Sequence, residues 1–471
     1  METLDRRTLL RRGLLAGGGI AALGPLHALG ADVAFGKRPR RAPGYGPLVN
    51  KGDLWLPDDF DYAVVQRQGE LMGDGNIVPG IFDGMAAYRG RKGTTVLIRN
   101  HENRRQAGEI PVVVPDEFLY DLDPTYNAGN TKVVLDTHSR GRKKRIEVIK
   151  TFAVLGGTDT NCAGGTTPWA SWVTCEEVVN RSATGLKHGY VFEIRSRTRG
   201  PVKAEPILGA GRFVHEAALF FGGALYQTED RTKSASNPAG SAFYRYIPRS
   251  PYGARRPLSR TTGVLQALKL RDEPLADMDV GRAPLTLYPV EWVTIDSPDH
   301  DDETDIDTSP FATRNQARAK GAAAFNRAEG MWVGGRKVYF DVTNGGEAGQ
   351  GQVWEYDPER ETVTLIFESP GSTVLQSPDN VVIVPRTGHI LLQEDGSGEQ
   401  FLRGVTRQGK IYDFAKTAVN ETEFCGGCFD PDRRILFVNQ QGDRGNLPEG
   451  PPNGGAVTYA VWGPWRSVSD G

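Results

Sequence analysis

Asn161-Cys162-Ala163-Gly164-Gly165-Thr166-Thr167-Pro168-Trp169-Ala170-Ser171-Trp172-Val173-Thr174-Cys175-Glu176-Glu177 is the stretch from which the rest of the chain is read. Gly164 and Gly165 followed by Pro168 punctuate a turn. Ala170 to Glu177, rich in Trp, Val and Thr, then predicts a short strand. That strand ends in one soft ligand, Cys175, and two hard ones, Glu176 and Glu177. Thiolate suits iron or zinc, and carboxylate oxygen suits calcium, magnesium or trivalent iron, so the strand end reads as a mixed metal site. The plainer alternative makes Cys175 a buried small hydrophobe and the glutamates solvated loop charges.

Recurrence favours the metal. An apolar-polar strand closing in paired acids returns at Ala224-Leu225-Tyr226-Gln227-Thr228-Glu229-Asp230 and at His389-Ile390-Leu391-Leu392-Gln393-Glu394-Asp395. Like charges gathered on strand ends repel unless cations hold them.

The 471 residues carry 56 basic and 58 acidic side chains, so no basic stripe argues for a stable nucleic-acid partner. With 58 glycines and 30 prolines the chain suits many tight turns, and 38% hydrophobic residues suffice for a core but not for a membrane protein. Asp5-Arg6-Arg7-Thr8-Leu9-Leu10-Arg11-Arg12 precedes a mildly apolar run from Gly13 to Leu29, broken by Pro25. Residues 1–30 therefore read as a cleavable twin-arginine leader and not as a bilayer span. They imply passage through the twin-arginine translocase and a periplasmic or secreted protein with no membrane anchor. Residues 31–52, basic and rich in Pro and Gly, predict a mobile linker.

From Asp53 to Trp465 one all-β domain is expected. Short strand candidates such as Thr94–Arg99, Tyr190–Ile194, Val264–Leu270, Met331–Val342 and Val457–Trp462 are each bounded by Gly, Pro, Asn or Asp. Only the alanine-rich Asn315–Arg327 predicts a helix. Many four-stranded units suggest a propeller or a pair of sandwiches, and no residue-level repeat reveals a blade count. Of Cys162, Cys175, Cys425 and Cys428, the preferred disulfide is Cys162 with Cys428, since an oxidising destination permits one. The Cys425-Gly-Gly-Cys428 spacing lacks the βαβ surroundings of a redox motif.

Further clusters are Asn100-His101-Glu102, Gly211-Arg212-Phe213-Val214-His215-Glu216 and Arg327-Ala328-Glu329. In the last, residues two apart on an extended chain share a side, so one can hold an anion and the other a metal. Asp299-His300-Asp301-Asp302-Glu303-Thr304-Asp305-Ile306-Asp307 lacks EF-hand spacing and reads as a solvated acidic loop.

With these motifs, and with Ser377-Pro378-Asp379-Asn380, Glu394-Asp395-Gly396 and Cys428-Phe429-Asp430-Pro431-Asp432, the chain resembles the PhoX-type alkaline phosphatase family between about residues 80 and 440. The chain is shorter than the fully developed members of that family, which places it with a compact branch, and Ala170, Met331 and Cys425 depart from the family pattern. The resemblance implies a six-bladed β-propeller with trivalent iron, Fe(III), and Ca2+ at one end of its channel. On that basis Cys175 is the iron thiolate, while Glu176, Glu177, Glu216 and Glu329 are shared carboxylates, completed by Glu394 or Asp395. Arg327 grips phosphate beside Glu329, and Asn161, His215, His101 and Glu102 stand behind the ligands. The implied activity is hydrolysis of a small-molecule phosphomonoester by a monomer. No nucleophile elbow is present to support a serine phospho-enzyme. Two rivals remain at this level: a calcium-dependent lactonase or phosphotriesterase propeller, which needs no thiolate, and a non-catalytic periplasmic binding propeller.

Overall fold

A computed structural model describes residues 42–471 except 138, 141–142, 303–306, 419–420 and 443–454. The expected leader and the first half of the expected linker, residues 31–41, lie outside the described residues. What is described is all-β and propeller-like, with one α-helix among the described residues, Thr313–Ala319.

The strands form antiparallel sheets whose edges matter most. Six edge strands are Phe82–Arg89 (β1), Asn161–Thr166 (β2), His215–Phe221 (β3), Ala328–Gly334 (β4), Pro378–Ile383 (β5) and Phe424–Phe429 (β6). They touch one another in cyclic order, β1 to β6 and back to β1, and so enclose a channel. β1 begins a sheet of four strands and β2 one of three, and β5 begins one of six. β3 and β4 are the two edges of a nine-stranded sheet, joined where Leu287–Thr294 pairs with Thr362–Glu368. The sheet of β6 is completed by Asp61–Arg67, from the other end of the chain, which pairs with Val457–Trp462. That pairing closes the ring and hides edges that would otherwise template aggregation.

Each edge strand turns back through a hairpin into a second strand, and each such pair carries a register shift near its start. The shifts fall between Phe82 and Met85, Asn161 and Gly164, His215 and Ala218, Ala328 and Met331, Pro378 and Asn380, and Cys425 and Cys428. Small residues make room there. A Cβ on Gly84 would lie 2.5 Å from Ala163 Cα, and one on Gly330 would lie 2.6 Å from Asn380 Cα, so neighbouring edge strands approach only because both are glycine.

Between sheets the apolar faces of alternating strands interlock. One cluster gathers Phe243, Phe340, Trp354 and Tyr356; another gathers Tyr45 and Phe60 with Phe414 and Trp465. Each fully buried Leu or Phe contributes about 2 kcal/mol.

Three expectations change. Tyr45 and the strand Leu48–Asn50 are built into the fold, although composition reads 31–52 as linker. The helix stops at Ala319: Gly321 turns at φ +89, and Ala323, Ala324 and Phe325 are extended by backbone bonds to Leu268, Ala276 and Ser241. Helix propensity of alanine yields here to tertiary pairing. Met331–Val342 is two strands joined at Gly334 and Gly335, not one.

Candidate metal and active site

The register shifts decide which side chains meet. A bulge re-aims its residues away from the regular pleat. Asp83, Cys162, Glu216, Glu329 and Asp379 are each the second residue of their edge strand, inside the shift, and their charges act on one another across the channel. Cys425 holds the same place on β6 but stays paired with Asn439 and donates its thiol to Phe82 O at 2.9 Å.

A second tier comes from the residues just beyond the second strands. Glu102, Glu177, Asp230 and Asp395 donate their backbone N–H groups to Ile81, Thr160, Val214 and Ser377, each the residue preceding an edge strand. The other two hairpins repeat the bond through Thr343 to Arg327 and Gln441 to Glu423.

Two overlapping groups result. Cys162, Glu177 and Glu216 bring ligand atoms within 4.8 Å of one another, and so do Glu177, Asp230 and Glu329. The first set pairs a thiol with two carboxylates and suits iron, whereas the second is all oxygen and suits calcium. Neither carboxylate oxygen of buried Glu329 accepts a hydrogen bond. Arg327 Nη2 lies 2.7 Å from Glu329 Oε1, but its N–H is not directed at that oxygen. Buried polar atoms are otherwise almost always paired, so these orphaned oxygens and this donor set fit bound cations.

The electrostatics agree. Burial, and then the charges of Glu329, Asp379, Glu177 and Asp83, push the Glu216 carboxyl well above its ordinary range. Burial and Asp230 do the same to Glu329, against the pull of Arg327. Glu177 is pushed up by burial, opposed by Arg104, which lies 3.3 Å away and also pairs with Glu102. Asp379 rises to about 7 through burial and Asp395. Asp230 is the exception: burial raises it, but the Arg327 fork at 2.8 and 3.1 Å outweighs burial and leaves it below the usual value. Arg327, raised chiefly by Glu329, stays charged. It sits at φ 63, in the left-handed region immediately before β4.

Several expected residues lie elsewhere. Cys175 is one strand out from the channel, fully buried with Val173, Val191 and Ala218; the thiol that meets the carboxylates is that of Cys162. Glu176 is occupied by His188 Nδ1 at 2.7 Å and by the N–H groups of Gly189 and Tyr190 at 2.8 and 3.1 Å. Glu394 accepts from Arg403 Nε at 2.9 Å and from Gln376 N at 3.0 Å. Asp395 is exposed at the rim, beside Asp379 and Glu423. Asn161 accepts from Thr158 at 2.5 Å and donates to Thr174 at 2.9 Å, next to Cys162. His215 contacts Gly211 O at 3.2 Å and stacks on Phe213, and burial lowers its pKa to about 3. His101 is held by Gly80 O and Thr131. Glu102 faces Arg104 and accepts from Gln441 Nε2 at 2.9 Å. All four cysteines are free, so Cys162 and Cys428 form no disulfide. Of the acidic loop, residues 303–306 lie outside the described residues; Asp301 is exposed, whereas Asp299 takes Lys187 and the Tyr190 hydroxyl, each at 2.7 Å.

Cys162, Asp83, Asp230, Asp379, Glu423 and Arg104 are the residues that motif reading did not select. Asp230 was within reach as the second member of an acid pair, and Cys162 as the residue two before Gly164-Gly165.

The alkaline phosphatase PhoX family model matches residues 44–443. Among solved structures, PhoX of Pseudomonas fluorescens in complex with vanadate, a transition state analogue, superposes with a TM-score of 0.66 at 17% identity, covering 90% of this chain and 98% of that one. A protein of unknown function from Dyadobacter fermentans follows at a TM-score of 0.41 and 10% identity, over 86% of this chain and 100% of its own. Comparison with curated protein sequences gives no match. With a family model spanning most of its length, the chain belongs to the PhoX family of alkaline phosphatases.

Proposed function

We propose that the channel mouth is a cation-loaded centre that hydrolyses phosphomonoesters, and that the fold around it is a six-bladed propeller. The observation carrying the proposal is the convergence of Cys162, Glu177, Glu216, Asp230 and Glu329 beside Arg327. The blade count is supported by six edge strands in cyclic contact and by the same hairpin hydrogen bond in all six.

Cys162, Glu177 and Glu216 would hold iron, and Glu177, Asp230 and Glu329 calcium. Cations held by these residues would supply neutralisation of phosphoryl oxygens and a lowered pKa for an attacking water. The chain's own part is positional. Asp230 holds the Arg327 guanidinium by both Nε and Nη2, which fixes its plane and keeps it protonated. A planar fork so held matches two oxygens of a phosphoryl group and meets charge as it develops. Arg104, anchored by Glu102 and Glu177, steadies Glu177, the carboxylate that both ligand sets share.

Export to the periplasm or beyond is part of the proposal and is supported by the twin arginines at Arg6-Arg7 and Arg11-Arg12. No helix among the described residues is long and apolar enough to cross a membrane.

Elemental analysis and phosphatase assay of protein exported with its native leader test the reading together. Iron and calcium should copurify, and p-nitrophenyl phosphate should be hydrolysed at alkaline pH. Protein carrying both metals that leaves p-nitrophenyl phosphate and nucleoside monophosphates intact from neutral to alkaline pH would overturn it.

A further inference from the structure

At their other ends the edge strands build a site of the opposite charge. The last residues of β4, β5 and β6, which are Gly334, Ile383 and Phe429, and the turns after them enclose a cavity of about 630 Å³. At roughly 3.3 Å per strand residue, the five-residue step from Glu329 to Gly334 sets this cavity about 16 Å from the carboxylates.

Trp332 lines the cavity and also packs against four separate apolar clusters, so its indole stands where several sheets meet, between the two mouths. Tyr339 and Phe429 add aromatic wall. Arg386, Arg407 and Arg433 rim the opening, all three exposed. Among the described residues no carboxylate lies within ion-pair distance of these three guanidinium groups. The acid on the wall, Asp430, is already engaged: Oδ1 accepts from the N–H groups of Arg434 and Ile435 at 2.6 and 2.7 Å, and Oδ2 from Asp432 at 3.3 Å. It closes its own turn and leaves the arginines uncompensated. Arg407 is seated over Gly388, where a Cβ would fall 2.3 Å from Nη2, so bare backbone accommodates the guanidinium.

The volume is that of a small-molecule site. Guanidinium forks select phosphate oxygens, and an aromatic floor selects a planar ring, which inorganic phosphate lacks. We propose that this cavity binds a nucleoside phosphate at a site separate from the carboxylate mouth. The proposal does not depend on the reaction catalysed there.

The test uses the full, metal-loaded protein and the α,β-methylene analogue of ADP, which has no hydrolysable terminal phosphate, in isothermal titration calorimetry. Binding is expected to survive in Arg327→Ala. It should weaken at least about ten-fold in Arg407→Ala/Arg433→Ala and likewise in Arg386→Glu. Because these arginines are exposed, both variants should keep wild-type hydrolysis of p-nitrophenyl phosphate. In Arg327→Ala, where binding at the carboxylate mouth is weakened, inorganic phosphate should bind more weakly than the analogue. Unchanged affinity in the arginine variants, loss of binding in Arg327→Ala, or equal affinity of that variant for inorganic phosphate would each overturn the assignment.

Discussion

The channel mouth and the blade layer directly behind it are built from adjacent residues, yet they treat their acids in opposite ways. In each of three strand-end pairs the first acid faces the blade and is satisfied. Glu176 is held by His188, Glu229 by the Tyr244 hydroxyl at 2.7 Å and Arg314 at 3.1 Å, and Glu394 by Arg403. The second acid, Glu177, Asp230 or Asp395, reaches the channel side and meets other carboxylates. Neighbouring residues of an extended chain point opposite ways, so one dipeptide supplies both kinds. A buried acid with donors reads as architecture, and a buried acid among acids reads as a cation holder.

The sharpest break in this comparison is between the two cysteines. Cys162→Ala should lower kcat/KM for p-nitrophenyl phosphate about 10³-fold and release iron. Cys175→Ala should keep activity per folded molecule and cost about 1–2 kcal/mol of stability as a small cavity. Equal loss in both variants would erase the distinction.

Next come the arginines. Arg327→Ala should reduce kcat/KM about 10²-fold with little change in thermal unfolding of the loaded protein. Arg403→Ala should do the reverse, because it strands buried Glu394 without its cation and removes about 3 kcal/mol. Denaturant melts and steady-state kinetics on the two variants separate these outcomes.

Glu176→Gln and Glu177→Gln probe adjacent positions. The first places an amide near the N–H groups of Gly189 and Tyr190, for a loss of about 2 kcal/mol in stability. The second should lower the content of both metals while leaving the melt of chelated protein almost unmoved.

The last contrast is the pH dependence of chelated protein. Asp379 is pushed up to about 7, whereas an unfolded aspartate titrates near about 3.9. The folded state therefore binds more protons between these values, and chelated protein should lose stability as pH rises from about 4 to about 7. Metal-loaded protein should show little of that fall. Thermal melts that rise with pH across the window in chelated protein would contradict the sign.

Much of the fold was legible because strand chemistry is local. Turn residues bounded most strands, and Val264–Leu270 and Val457–Trp462 match the observed Gly263–Leu270 and Val457–Trp462. The alanine-rich segment misled because propensity is also local, whereas residues 322–325 are claimed by neighbouring chain. The acid pairs were visible as a recurrence, but not which member faced the channel, since facing depends on where a sheet sits in the ring. Cys162 is hidden for the same reason: Gly164-Gly165 signals a turn, but a local signal does not say that the shift between Asn161 and Gly164 turns Cys162 inward.

The chain's own letters offered candidate ligand types, a recurrence of acid-closed strand ends and an architecture of many short hairpins. Their selection followed from assembly. Cyclic closure and six register shifts brought second residues of distant strands together, left Cys175 one strand out, and gave the two mouths opposite charge. Pleat alternation and turn chemistry act over a few residues, but burial and charge repulsion act between sheets, so which acids are paired and which crowd together is set only once the sheets close into a ring.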